Sequence, residues 1–104
     1  MIIIRQTEQF REWLESLRDT TGRAKILARI RRLELGNQGD VNSVGKGLSE
    51  MRIHHGPGYR VYFVNHGLSL VTLLCGGDKS TQKKDIKIAQ ELSRTLPGIY
   101  GVIK

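Results

Sequence analysis

At 104 residues and 11.7 kDa the chain is sized for one domain around a single modest core, which excludes a two-domain arrangement. Seventeen Lys/Arg against ten Asp/Glu give a formal charge of +7 and an isoelectric point near 10.0, a balance that favours polyanionic partners, nucleic acid first. One cysteine, Cys75, excludes an internal disulfide, and no stretch approaches the roughly 20 apolar residues of a membrane-spanning helix.

The basic excess is not a tail, since residues 1–36 carry eight Lys/Arg against five Asp/Glu and residues 37–104 carry nine against five. The start, Met1-Ile2-Ile3-Ile4-Arg5, is too short for a signal-peptide core and has no basic leader, so a cytoplasmic location without membrane contact is expected. Ile2-Ile3-Ile4 reads as a short buried strand. Thr7 is the expected N-cap of a helix over residues 8–19, whose Phe10, Trp13, Leu14 and Leu17 fall at i, i+3, i+4, i+7. Trp13 on that stripe reads as core rather than as a base-stacking platform. Thr20-Thr21-Gly22 separates this helix from a second over residues 23–35, ended by Gly36-Asn37. So short a spacer implies an antiparallel helical hairpin. Ile26, Ile30 and Leu33 face inward, while Lys25, Arg29 and Arg32 form an outer stripe open to phosphates or to solvent.

Residues 36–47 read as a glycine-rich polar loop without periodicity, long for a connector and therefore a functional flap beside the sheet. Its glycines lack the strand-to-helix context of a phosphate-cradling loop, and Lys46 is its one cation. Three strands follow. Residues 50–54 alternate apolar and polar positions; Gly56-Pro57-Gly58 turns; residues 59–64 are rich in aromatic and β-branched side chains. Asn65-His66-Gly67 turns again, with Gly67 in the left-handed position so that Val64 opposes Leu68, and residues 68–75 form an apolar run expected of a strand covered on both faces. Gly76-Gly77-Asp78-Lys79-Ser80 leads into a last helix over residues 81–95, with Ile86, Ala89 and Leu92 inward and Lys83, Lys84 and Lys87 outward. Pro97-Gly98 stops it, and the tail over residues 99–104 is apolar enough to dock on the body.

Directly paired residues of an antiparallel ladder share a face. If Met51, Ile53, Val61, Phe63, Val71 and Leu73 face the core, Arg52, His54, Arg60, Tyr62 and Thr72 face the other way, with Lys46 and Lys79 at the edges. No metal or cofactor site stands out, because His54 and His55 are adjacent and point to opposite faces while His66 lies in a turn. No Ser-His-Asp arrangement is visible, and Cys75 lies among apolar neighbours as an inert thiol. The basic and aromatic face suits metal-independent cleavage of RNA. A base takes the ribose 2′-OH proton, cations stabilise the charge growing on the phosphorane oxygens, and an acid protonates the leaving oxygen. It equally suits a surface that binds an acidic partner and catalyses nothing. The residues alone leave both readings open.

The order of elements, together with particular stretches, resembles the RelE/ParE superfamily of toxins from type II toxin–antitoxin modules. The wording is nearest the HigB-like, phage-derived branch described as addiction module killer proteins. The resemblance rests on the Phe10…Trp13-Leu14…Leu17 helix, Ile30-Arg31-Arg32-Leu33…Gly36-Asn37…Gly39-Asp40, Leu48-Ser49-Glu50-Met51-Arg52-Ile53, Gly56-Pro57-Gly58-Tyr59-Arg60-Val61-Tyr62-Phe63 and Leu74-Cys75-Gly76-Gly77-Asp78-Lys79-Ser80-Thr81-Gln82. It implies a single RelE-like α+β domain over residues 1–104, with an N-terminal strand and helical hairpin on a small antiparallel sheet and a C-terminal helix. It further implies an mRNA endoribonuclease (an mRNA interferase) that acts on ribosome-bound mRNA to block translation, needs no cofactor, and is neutralised by a cognate antitoxin of the helix-turn-helix DNA-binding kind. Carried over by position, Arg60 contacts the scissile phosphate, Arg52 and His54 are the basic residues of the preceding strand, and Lys79 is the cation after the last strand. Lys46, Tyr59, Tyr62, Lys83 and Lys84 are the RNA-binding candidates. One departure matters: where those toxins often place a tyrosine or histidine acid/base, this chain has Lys83-Lys84-Asp85-Ile86. His54, Tyr59 and Asp78 are then the candidates for the base. The alternatives are a ParE-like gyrase poison, which would not need the clustered basic face, and a decayed toxin that only binds its antitoxin.

Overall fold

The computed structural model describes residues 1–96. Its elements run β1 (Ile3–Gln6), α1 (Glu8–Ser16), α2 (Thr20–Glu34), β2 (Val41–Gly45), β3 (Leu48–Ile53), β4 (Tyr59–Asn65), β5 (Leu70–Asp78), a 3₁₀ turn (Lys79–Thr81) and α3 (Gln82–Thr95). The expected α+β class holds. One sheet has the strand order β1-β5-β4-β3-β2, antiparallel throughout except for the parallel β1–β5 pair. Helices cover both faces: Phe10, Ile26 and Leu33 of α1 and α2 join one core, Ala89 and Leu96 at α3 the other. No described helix is long and apolar enough to cross a membrane.

Capping decides the helix bounds. Thr7 Oγ1 accepts from the Phe10 N–H at 3.0 Å and donates to the Leu74 carbonyl at 2.6 Å, so the start of α1 is tied to β5. α1 ends at Ser16, earlier than the expected Asp19. Asp19 instead caps α2, its Oδ1 accepting from the Gly22 N–H at 2.9 Å, and Thr20-Thr21-Gly22 becomes a first turn rather than a spacer. The Pro97-Gly98 stop and the apolar tail lie outside the described residues.

The flap expected over residues 36–47 is in large part an edge strand. β2 pairs antiparallel with β3 (Val41 with Met51, Ser43 with Ser49), and Gly45-Lys46-Gly47 turns the chain with φ of +91°, +55° and +77°. The strand escapes a periodicity search because its two valines lie on opposite faces, Val41 against the first core and Val44 against the second. Backbone pairing to β3, not an apolar stripe, holds it.

The face assignment stands: Met51, Ile53, Val61, Phe63, Val71 and Leu73 all belong to the core beneath α1 and α2. The expected turn does not, because Val64 pairs with Thr72 rather than Leu68, and Leu68 is a nearly fully exposed turn residue. The slip is an even number of residues, so it leaves Val71 and Leu73 on their face. A bulge between Tyr62 and Phe63 then brings Cys75 opposite Tyr62 and turns both Leu74 and Cys75 toward α3. The second sheet face is therefore not open. α3 covers most of it, over Leu48, Tyr62, Leu74 and Cys75. Toward one end of the sheet Arg52 and Arg60 reach a surface cleft beside the helix.

Candidate functional site

The site begins with two cross-strand pairs, Glu50 with Tyr62 and Arg52 with Arg60. Alternation on β3 puts Leu48, Glu50 and Arg52 on one face, and on β4 Arg60 and Tyr62 join them. The Glu50 side chain is fully buried. Its Oε1 accepts from Arg52 Nε at 3.0 Å; its Oε2 accepts from Arg60 Nη1 at 3.2 Å, the Tyr62 hydroxyl at 3.1 Å and Gln82 Nε2 at 2.8 Å. Burial pushes the Glu50 pKa up, but the hydrogen bonds from Arg52, Gln82 and Arg60 outweigh it and hold the group below its ordinary value. Glu50 in turn raises the Arg52 pKa, through the hydrogen bond first.

Beyond this carboxylate the guanidiniums reach a cleft of about 470 Å³, walled by Arg52, Ile53, His54, Gly58, Tyr59, Arg60, Lys79 and Gln82. The Arg52 side chain is 38 % exposed and that of Arg60 only 11 %, so Arg60 forms the floor and Arg52 the wall. Two guanidiniums against one carboxylate leave an excess positive charge, to which Lys79 adds. Lys79 also lines an adjoining cleft with Lys83 and Lys84 at the start of α3. On the other side a smaller cleft shares Ile53 and His54 with this one and is lined by Lys25, Arg29 and Arg32. Arg29 is not the free surface cation its stripe suggested. It donates to the carbonyls of Arg52 at 2.5 Å, Gln38 at 3.2 Å and Asp40 at 3.3 Å, bracing the entry to β2 against the end of β3.

The three candidate bases separate clearly. His54 is exposed beside the cleft, its Nε2 lying 2.5 Å from Asp40 Oδ2, and that contact is the main reason the Asp40 pKa lies low. Asp78 caps the 3₁₀ turn: its Oδ1 accepts from the Ser80 N–H at 2.8 Å and from the Ser80 hydroxyl at 2.5 Å, which lowers its pKa and makes it a poor proton acceptor. Tyr59 is buried on the α1/α2 side, its hydroxyl donating to Asp19 Oδ2 at 3.0 Å; burial and then Asp19 raise its pKa.

Arg52, His54, Arg60 and Lys79 are thus brought into one cleft, and Lys83 and Lys84 stand beside it. Two expected RNA contacts, Tyr62 and Lys46, are corrected, and a third, Tyr59, is only 7 % exposed where it lines the cleft. Tyr62 is fully buried beneath α3 with its hydroxyl on Glu50, so no base can stack on it. Tyr59 lines the cleft, but its ring meets Trp13 in an edge contact at 6.3 Å and its hydroxyl is taken by Asp19. Lys46 sits at the β2–β3 turn, at the opposite end of β3 from Arg52 and on the order of 20 Å along the strand. Two members, Glu50 and Gln82, were not anticipated. Glu50 carried a signal, an acidic residue two positions from Arg52 on the same face; Gln82 carried none. Cys75 is buried, and burial pushes its thiol up to about 12, in keeping with an inert residue.

The lowered Glu50 pKa has a definite sign for stability. An acid whose folded-state pKa is depressed contributes stability above its ordinary value of 4.5, and loses it as pH falls through the folded value. Thermal midpoints should be nearly flat from about pH 7 down to pH 5 and fall below that. Glu50→Gln should flatten the acid limb, and an unchanged limb in a folded variant would show that Glu50 does not carry it.

A family profile described as "Phage derived protein Gp49-like (DUF891)" matches residues 12–94. A Haemophilus influenzae protein, described as uncharacterized, is 54 % identical over 95 residues, covering 91 % of this chain and 96 % of its own. The solution structure of a conserved hypothetical protein from Helicobacter pylori aligns with a TM-score of 0.45 at 16 % identity, covering 77 % of this chain and 97 % of that one.

Proposed function

The chain belongs to the Gp49-like family of phage-derived proteins, a family associated with toxins of toxin–antitoxin modules, and from that premise we propose that it is a RelE/HigB-type toxin that cleaves ribosome-bound mRNA. The observation that carries the reading is the pair Arg52 and Arg60, side by side on the floor and wall of one cleft with His54 and Lys79 at its rim. A cation pair in one cleft suits the charge that grows on phosphorane oxygens, and it lies where an extended strand can enter from either adjoining basic cleft.

In the proposed reaction a ribose 2′ oxygen attacks the adjacent phosphorus. His54 takes the 2′-OH proton: with Nε2–H given to Asp40, Nδ1 holds the free lone pair. Arg60 and Arg52 stabilise the two non-bridging oxygens, and Lys79 holds a neighbouring phosphate. The bond to the 5′ oxygen breaks, that oxygen takes a proton from water, and the products carry a 2′,3′-cyclic phosphate and a 5′ hydroxyl. The nucleophile belongs to the substrate, so this chain supplies orientation, charge and one proton acceptor. The reading brings with it a cytoplasmic setting and a cognate antitoxin of the helix-turn-helix kind, whose acidic residues would suit the +7 charge.

The test is to map RNA 5′ ends in cells after brief expression. The expected result is new 5′-hydroxyl ends within translated frames, absent when translation initiation is blocked and absent with Arg60→Ala. DNA breaks preceding any loss of protein synthesis would overturn the reading in favour of a gyrase poison. Antitoxin binding without growth arrest would overturn it in favour of a decayed toxin.

A further inference from the structure

Glu50 presents a problem that the proposed reaction does not use. It is a carboxylate with no exposed surface, on a sheet face otherwise packed with Leu48, Tyr62 and Leu74 beneath α3. A purely structural position there would be filled at less cost by an apolar side chain. Nor is Glu50 placed to act on substrate, since both of its oxygens are taken by four donors and neither reaches the cleft.

The arginines explain it. Arg52 and Arg60 sit directly opposite each other on neighbouring strands, where like charges repel and two long side chains would otherwise splay apart into solvent. Glu50 offers one oxygen to each, Oε1 to Arg52 and Oε2 to Arg60, which holds the guanidiniums together at a fixed separation. The Tyr62 hydroxyl and Gln82 amide also donate to Oε2, so the carboxylate itself cannot swing. We propose that Glu50 is a positioning residue that preorganises Arg52 and Arg60 as one anion-binding unit, with Gln82 linking that unit to the first turn of α3. The cost of ordering two arginine side chains then falls on folding rather than on ligand binding. The same carboxylate cancels one of the two charges, so the pair is stable in the empty cleft yet keeps a net positive charge for a phosphate. The ligand named here rests on the RNA reading above; the positioning itself is measured without RNA.

The experiment uses the full chain, labelled with ¹⁵N, and reads the Arg52 Nε–H directly. In the wild type its exchange with water should be at least roughly tenfold slower than that of an unpaired surface arginine, and Glu50→Gln should remove the protection. In parallel, a short oligoribonucleotide methylated at every 2′ oxygen, which cannot be cleaved, is titrated by fluorescence anisotropy. Glu50→Gln should weaken it on the order of 10- to 100-fold, but by less than about threefold when Arg52 and Arg60 are already alanine, because the effect passes through them. Equal losses in both backgrounds would overturn the proposal, as would wild-type Arg52 exchanging like a free arginine. That last reading needs no variant and decides the matter even if Glu50→Gln fails to fold. A wild type whose arginine is protected, but which ignores the oligoribonucleotide, supports the positioning role and overturns only the RNA reading.

Discussion

Replacing Arg60 with alanine is expected to lower RNA cleavage by on the order of 100- to 1000-fold and to abolish growth arrest on expression. The effect is large because Arg60 is the deepest cation of the cleft and the one whose geometry is most constrained, between its pairing with Arg52 and its bond to Glu50. The fold should survive. Glu50 keeps Arg52, Tyr62 and Gln82 as donors, so the loss is one charge-assisted hydrogen bond, about 1.5–3 kcal/mol. Against a domain stability of about 5–15 kcal/mol that lowers the melting temperature without unfolding the protein. Arg60→Lys separates charge from shape. It keeps the cation but loses the planar fork that can hold Glu50 and a phosphate oxygen together, so most of the activity should still disappear. Circular dichroism melts with cleavage rates check both variants. Full growth arrest by a folded Arg60→Ala protein would remove Arg60 from the mechanism.

What the sequence made legible follows from what alternation can and cannot encode. The faces of β3 and β4 could be assigned because cross-strand partners must share a face, and an even-numbered slip in the β4–β5 turn leaves that parity intact. Alternation says nothing about what lies over a face. Tyr62 read as an exposed aromatic beside Arg60, yet it is core, because the inward side of the last helix lies on it. The aromatic and β-branched residues on both faces of Tyr59-Arg60-Val61-Tyr62-Phe63-Val64 were a hint of double coverage. β2 stayed hidden because an edge strand held by backbone pairing needs no apolar stripe. The polar half of the site was least legible. Gln82 reaches Glu50 across 32 residues, and Asp40 reaches His54 across 14, through contacts that exist only once α3 is packed and β2 is paired. No periodicity marks a residue whose partner is chosen by tertiary structure.

The adjacent pair Gly76-Gly77 is where the sequence pattern and the packing meet most tightly, and Gly76→Ala should lower the melting temperature by roughly 10–25 °C. A β-carbon at position 76 would lie 2.3 Å from two carbons of the Trp13 ring and 2.7 Å from a third. The ring cannot swing clear, because Phe10 packs on it at 5.8 Å and Tyr59 meets it edge-on at 6.3 Å. Either α1 lifts off β5 or the indole leaves its rotamer, and overpacking of this kind costs about 3 kcal/mol at the upper end of the usual range. Gly77 plays the matching part on the other face. Its β-carbon would fall 1.8 Å from Asp85 Oδ2, a carboxylate held by the Thr81 hydroxyl at 2.5 Å, so alanine there would push α3 away from β5. The two variants should differ in a telling way. Gly76→Ala disturbs the α1 side, away from the cleft, and should cost stability more than residual activity at a temperature where the protein is folded. Gly77 pairs directly with Arg60, and α3 begins at Gln82, so Gly77→Ala should also displace the arginine pair and weaken RNA binding in the protein that remains folded. Melting curves and oligoribonucleotide titrations below the transition separate these outcomes. A Gly76→Ala midpoint within about 3 °C of the wild type would mean that Trp13 has room to move and that the close packing of α1 on β5 is not what requires glycine there.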